Sequence, residues 1–184
     1  MMTPITNSTL VWAIGGTLFI TIVGSALHFA FAWSGNWLPV AVFGAVNESI
    51  WEHLKLAFWP GLVWAAIERP NLNRGRSEFW AVKGIALLVA PISIVLVFTA
   101  YTSILGRNIL YLDIGTFIFA VALGQWVSAW LISSSLNSVA IRHLGHLLLA
   151  MQIMAYSTFT FLPPEIGLFM DSRNGSYGIP AHSE

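Results

Sequence analysis

Long apolar runs alternate with short polar segments along this chain, a pattern typical of a protein that crosses a membrane several times. A helix needs about 20 apolar residues to cross the bilayer. The runs predict an all-α fold, an integral membrane bundle of five transmembrane helices. The predicted spans cover residues 9–33, 47–67, 80–105, 109–132 and 142–162. Residues 1–162 would form the bundle, and the polar residues 163–184, rich in Pro and Gly, would form an extracytoplasmic tail.

The second span needs a segment in front of it. As one helix, residues 37–68 would be about 47 Å long, which is too long for a simple crossing. Gly44 and Asn47 are the predicted break, with Asn47 as the N-cap of the new helix and Glu48 at its positive end. We therefore expect residues 38–46 to be interfacial or re-entrant.

Composition supports a membrane protein and excludes several kinds of site. The chain is 57% hydrophobic and 9% charged, whereas soluble domains carry about 25% charged residues. Its formal net charge is zero, so nothing indicates a nucleic-acid partner. The absence of cysteine excludes disulfides, thiolate metal sites and cysteine nucleophiles. Membrane lipid is the expected partner, and the small size leaves open a homo-oligomer or a non-catalytic subunit of a larger membrane complex.

The distribution of arginine predicts the orientation of the bundle. In the five-span topology, arginines 69, 74, 76 and 142 fall on the side of the N-terminus, and arginines 107 and 173 fall on the other side. Cytoplasmic loops carry the excess of positive charge. The sequence therefore predicts a multi-pass cell-membrane protein with a cytoplasmic N-terminus and an extracytoplasmic C-terminus.

Residues 47–55 (Asn-Glu-Ser-Ile-Trp-Glu-His-Leu-Lys) interrupt a stretch that otherwise reads as membrane-buried. Ionisable groups at such a depth are costly, and they are usually turned inward, paired and functional. Helical rotation of about 100° per residue would place Glu48, Glu52 and Lys55 on one face and His53 toward a neighbouring one. An alternative for Glu52 and Lys55 is an ion pair that only joins two helices.

The predicted topology brings further polar residues to the same height. His28 would lie about 7 Å below the outer end of the first span, and Asp113 about 6 Å below the outer end of the fourth. Glu52 would lie about 6 Å deeper than Glu48. We therefore expect His28, Glu48, Glu52, His53 and Asp113 to share one layer in the outer leaflet.

Two histidines and up to three carboxylates suit a divalent metal such as zinc, iron or manganese. The sequence predicts His28, Glu48, Glu52 and His53 as metal ligands, and Glu52 and Asp113 as catalytic groups. An open coordination position would let the metal activate water for hydrolysis. The spacing is less specific than His-Glu-x-x-His. Proton or ion passage, as in a proton-coupled transporter, and a purely structural polar core are the alternatives.

The tail carries apolar and aromatic residues among its Pro and Gly residues. Such a segment could fold back as a lid over the outer mouth of the bundle. A plain amphipathic surface loop is the alternative.

Several of these stretches resemble a family of small prokaryotic multi-span membrane proteins of unknown function. The resemblance rests on residues 28–29 (His-Phe), 33–35 (Trp-Ser-Gly), 46–55, 163–164 (Pro-Pro), 168–169 (Leu-Phe), Asp171 and 175–179 (Gly-Ser-Tyr-Gly-Ile). The most specific part is Asn-Glu-Ser-x-Trp-Glu-His-x-Lys, and the tail departs from the pattern at Gly167, where proline is expected. The resemblance implies a bacterial or archaeal cell (inner) membrane and supplies no activity. It also implies that Asn47, Lys55, Asp171 and Tyr177 belong with the polar layer.

Overall fold

The computed structural model describes residues 5–72, 78–134 and 138–179, and every regular element in these ranges is an α-helix. The helices are α1 (Asn7–Trp33), α2 (Leu38–Ala41), α3 (Ile50–Leu72), α4 (Phe79–Ala86), α5 (Val89–Leu105), α6 (Leu110–Ser133) and α7 (Val139–Thr158). In the tail, an isolated antiparallel β-bridge joins Met170 and Tyr177. The predicted all-α class is confirmed.

Three helical stretches of the described chain are long and apolar enough to cross a bilayer. They are α1, the stretch formed by α4 and α5 together, and α6. Helices α3 and α7 have comparable lengths, but polar and charged residues make them less apolar. Length and composition thus indicate a membrane protein, while the five-span arrangement stays a prediction.

One face of α1 is a continuous apolar stripe. Val11, Ile14, Leu18 and Ile22 recur at helical spacing, and each is between 55% and 68% exposed on the monomer. A contiguous exposed apolar patch of this kind marks a surface that contacts lipid or another protein. A lipid environment would cover this stripe without any further partner.

The helices are interrupted at one predicted place and at one further place. Helix α2 ends at Ala41 and α3 begins only at Ile50, so the segment in front of the second predicted span is present. The predicted third span is divided between α4 and α5 at residues 87–88. Pro91 has no N–H group to bond the carbonyl oxygen of Leu87, which explains an interruption at this position.

The helices pack around α3 and α6. Helix α1 packs against α3 and α6, α5 packs against α6, and α4 packs against α7. Helices α1 and α3 approach each other closely at Gly24, where an added Cβ would lie 2.5 Å from the carbonyl oxygen of Leu56. Gly24 lies one helical turn before His28, and Leu56 lies three residues after His53. The close approach therefore brings the two histidines together.

A buried ion pair lies near the other end of α3. The side chains of Glu68 and Lys83 contact each other, and both are almost fully buried. Nζ of Lys83 also donates a hydrogen bond to Oγ of Ser128 (2.6 Å). These contacts connect α3, α4 and α6 about 22 Å along the axis from His53.

We predict that Gly24→Ala destabilises the protein by about 1–3 kcal/mol, because the new methyl group collides with backbone rather than with a movable side chain. Thermal unfolding in detergent measures this loss. Gly115→Ala in α6 is the matched control, since nothing lies within 4 Å of its added Cβ, and alanine favours the helix by about 0.5–1 kcal/mol. Equal melting temperatures for the two variants would contradict the proposed close contact.

Candidate metal centre

The start of α3 differs from the prediction in how it is capped. Oγ of Ser49 accepts a hydrogen bond from the backbone N–H of Glu52 (3.3 Å), which is the geometry of an N-cap. Asn47 does not cap the helix. Its Oδ1 accepts from the N–H of Ser49 (2.9 Å), and its Nδ2 donates to the carbonyl oxygen of Gly178 (2.8 Å). Asn47 thus shapes the turn before α3 and attaches that turn to the tail.

Glu48 consequently lies outside the helix. The prediction that Glu48, Glu52 and Lys55 share one helical face is wrong, because α3 begins two residues after Glu48. Because Glu48 precedes the helix, its side chain lies beside His53 and not on the face of Glu52 and Lys55.

His28 from α1, Glu48 from the turn and His53 from α3 form a compact group, which we call the histidine group. The two Nε2 atoms are 3.2 Å apart. Oε2 of Glu48 lies 3.8 Å from Nε2 of His28 and 3.6 Å from Nε2 of His53. The three side chains are between 24% and 33% exposed. Within the described residues, these are the His, Asp and Glu side chains placed closely enough to hold one metal ion together.

A backbone contact fixes the proton on His53. Its Nδ1 lies 2.8 Å from the carbonyl oxygen of Ser49, and a carbonyl oxygen only accepts hydrogen bonds. Nδ1 therefore carries the proton, and neutral His53 presents a lone pair at Nε2. Histidine ligands of metals usually donate their second ring nitrogen to such a carbonyl or carboxylate.

His28 is less well oriented. In the described part of the chain, no atom hydrogen-bonds its buried Nδ1. Because His53 offers a lone pair, the 3.2 Å contact is satisfied when Nε2–H of His28 donates to Nε2 of His53. Binding of a metal at Nε2 would move this proton to Nδ1, where a buried donor without a partner costs about 1–3 kcal/mol.

The separations of the three ligand atoms match a small coordination sphere. Metal–ligand bonds of 2.0–2.1 Å in a tetrahedron give edges of about 3.3 Å, whereas neighbouring ligands in an octahedron would be about 3.0 Å apart. The observed separations of 3.2, 3.6 and 3.8 Å are closer to the tetrahedral edge. The three atoms could therefore serve as three ligands of a tetrahedral metal ion, which would take a fourth ligand from elsewhere.

Glu52 belongs to a different cluster. Its Oε2 contacts Nζ of Lys55 (2.6 Å) and accepts from the N–H of Val46 (3.0 Å). Nζ of Lys55 also donates to the carbonyl oxygen of Ala41 (2.7 Å) and to Oγ1 of Thr160 (2.7 Å), whose hydroxyl donates to Oε1 of Glu52 (3.0 Å). Both charged side chains are at most 3% exposed. Every donor of Lys55 has a partner, as in an ion pair that joins structural elements.

Asp113 also lies apart from the histidine group. The hydroxyl of Tyr101 donates to its Oδ1, and Nδ2 of Asn108 donates to its Oδ2 (3.3 Å). Its contacts are therefore made with the last turns of α5 and with the α5–α6 connection. Similar predicted depth did not bring Asp113 to the histidines.

The tail folds back onto the start of α3. The N–H of Trp51 donates to the carbonyl oxygen of Leu168 (3.0 Å), and the ring of Phe169 packs on Trp51 with 4.6 Å between centroids. Nη2 of Arg173 lies 2.9 Å from Oε1 of Glu48, and Oγ of Ser172 donates to the Glu48 carbonyl oxygen (3.2 Å). The tail thus contacts Glu48 directly, while its role as a lid stays a prediction.

The contacts of Asp171 and Tyr177 lie within the tail. Asp171 is buried, and its Oδ1 accepts from the N–H of Arg173 (2.8 Å), while its backbone bonds residues 175 and 176. Tyr177 pairs with Met170 in the isolated bridge. Sequence reasoning did not identify Arg173 or Thr160 as site neighbours, since both are more than 100 residues from their partners in the chain.

We predict that Lys55→Met destabilises the protein by about 3–5 kcal/mol, because it leaves the Glu52 carboxylate buried without a counter-charge. Adding Glu52→Gln to Lys55→Met should restore part of the stability, since the buried charge is then removed. Thermal unfolding in detergent measures both variants. An unchanged melting temperature in Lys55→Met would contradict the structural role of the pair, and loss of bound metal in a folded Glu52→Gln variant would make Glu52 a ligand after all.

Comparison with known proteins gives a family without an assigned activity. No curated protein matches the chain significantly, and no solved structure does. A model of a protein family, described as a family of unknown function (DUF6512), matches residues 1–179. The expectation of a family of unknown function is thereby met. The chain belongs to this DUF6512 family, whose model covers nearly its whole length.

Proposed function

We propose that the protein is a metal-binding membrane protein whose histidine group holds one divalent cation. The observation that carries the proposal is the convergence of Nε2 of His28, Nε2 of His53 and Oε2 of Glu48 within 4.8 Å of one another. These three atoms come from two helices and a turn, so their convergence is a product of the fold. Glu52 and Asp113 have no ligand role in this proposal, because their carboxylates contact other partners.

Zinc fits the donor set best among zinc, iron and manganese. Two imidazoles and one carboxylate with an open fourth position are the ligands of a catalytic zinc site. The same three ligand types also serve iron in octahedral sites, but the separations of the ligand atoms favour the tetrahedral arrangement. The unpartnered Nδ1 of His28 lowers the expected affinity below that of a site with two oriented histidines.

The open position gives the centre a chemical use. Zinc lowers the pKa of a bound water to about 7, which supplies a hydroxide nucleophile at neutral pH. The partial exposure of the three ligands leaves room for water and substrate to approach. A hydrolytic reaction is therefore the activity that this arrangement supports best.

The proposed surroundings are a cell membrane that the chain crosses five times. The apolar stripe of α1 and three helices of sufficient length and apolarity support this proposal. In this topology the N-terminus is cytoplasmic, and the histidine group and the tail above it are extracytoplasmic. The Glu68–Lys83 pair then lies toward the cytoplasmic side.

We predict that protein purified in detergent at neutral pH contains about one zinc ion per chain, as measured by elemental analysis. His53→Ala and Glu48→Gln should lower zinc affinity by at least about tenfold, because each removes a direct ligand. His146→Ala is the matched control, since it removes an exposed histidine from α7. Absence of bound metal in the wild type after zinc is added would refute the metal centre. An equal loss of zinc affinity in His146→Ala would refute it as well. Stoichiometric iron or manganese instead of zinc would refute only the choice of metal.

We predict that labelling of single introduced cysteines reports the five-span topology. The chain has no cysteine of its own that could also be labelled. A membrane-impermeant maleimide should label Arg107→Cys and Asn174→Cys in intact cells, and it should label Ser138→Cys only after permeabilisation. The three positions are exposed in the structure. Labelling of Ser138→Cys in intact cells would contradict the proposed orientation.

A further inference from the structure

Arg173 lies on the outer side of the histidine group, with most of its guanidinium free. One of its nitrogens contacts Oε1 of Glu48, and the side chain is 74% exposed. A guanidinium carries five N–H donors in a rigid fork, so most of them remain available to a ligand. The backbone N–H of Arg173 donates to Oδ1 of Asp171, and the neighbouring Ser172 donates to the Glu48 carbonyl oxygen, so the backbone at this arginine is fixed beside the histidine group.

The charges around the proposed metal leave a positive excess. A divalent cation and Arg173 together exceed the negative charges of Glu48 and Asp171 by one unit. Glu52 does not contribute, because Lys55 neutralises it. An anionic group would therefore be attracted to the space between the open metal position and Arg173.

The end of α1 beside this space is aromatic. The rings of Phe29 and Trp33 stack on each other with 5.6 Å between centroids, and the ring of Phe29 lies 4.8 Å from that of His28. Phe29 is 52% and Trp33 is 72% exposed. Tryptophan near the end of a membrane helix is typical of the headgroup level, which fits Trp33. In the proposed topology, phosphate groups of lipids and soluble phosphates of the aqueous phase both reach this height.

We infer that Arg173 recognises an anion and that the ligand of the metal centre carries a phosphate group. Phosphate matches the bidentate fork of arginine, and a further phosphate oxygen can take the open metal position. The inference rests on the proposed function, because without a metal the site has no net positive charge. It adds a class of substrate and assigns a role to a residue of the tail.

Titration calorimetry tests this with zinc-loaded protein in a phosphate-free sugar detergent. Inorganic phosphate should bind the wild type, and Arg173→Gln should weaken binding by about 10- to 100-fold, with zinc content and melting temperature retained. Arg173→Lys, which keeps the charge without the fork, should be intermediate. The control Arg107→Gln removes another exposed arginine and should bind phosphate like the wild type.

A second titration with short-chain phosphatidic acid separates the two sources of phosphate. Tighter binding than that of inorganic phosphate, lost in Arg173→Gln, identifies a lipid headgroup. Binding no tighter than that of inorganic phosphate identifies a soluble phosphate compound. Absence of phosphate binding by zinc-loaded protein, or undiminished binding by Arg173→Gln, would overturn the inference and leave the metal centre standing. Failure to load zinc at all would overturn the proposed function itself.

Discussion

A charge buried in an apolar bundle must be neutralised by the protein, and this constraint shapes both ends of α3. Near its start, Glu52 is paired with Lys55; near its end, Glu68 is paired with Lys83. The first pair also takes hydrogen bonds from Thr160 and from the backbone of Val46. The contacts that neutralise Lys55 and Glu52 therefore attach the segment after α2 and the chain after α7 to the same point of α3.

That attachment has a consequence for the residues next to it. With the turn before α3 held by the Glu52 network, Glu48 lies outside the helix and beside the histidines. The close approach of α1 and α3 at Gly24 supplies His28 from the other side. The network is closed, because its donors and acceptors satisfy one another. The histidine group is more open, because its three side chains are partly exposed and their ligand atoms lie close together. The Glu52 network therefore fits a structural role, and the histidine group fits the binding of a ligand.

The chain after α7 connects these two features. Thr160 belongs to the closed network, whereas Arg173 contacts the open group. This part of the chain therefore contacts both the buried ion pair and the histidine group. The proposed metal and the proposed anion both lie where α1, α3 and the tail meet, so the site depends on three parts of the chain that are distant in sequence.

The sequence by itself determined the helical class, the interruption before α3 and the residues among which a site had to be sought. Apolar runs of bilayer length and the high cost of isolated charges need no tertiary information. The sequence could not show that Glu48 and Glu52 belong to different clusters, because a shift of two residues in the start of α3 decides which side chains share a face. Nor could depth alone separate Asp113 from the histidines, since side chains at equal heights can face different neighbours. Only the packing of α1 on α3 and the return of the tail decided that His28, Glu48 and His53 meet and that Arg173 lies above them.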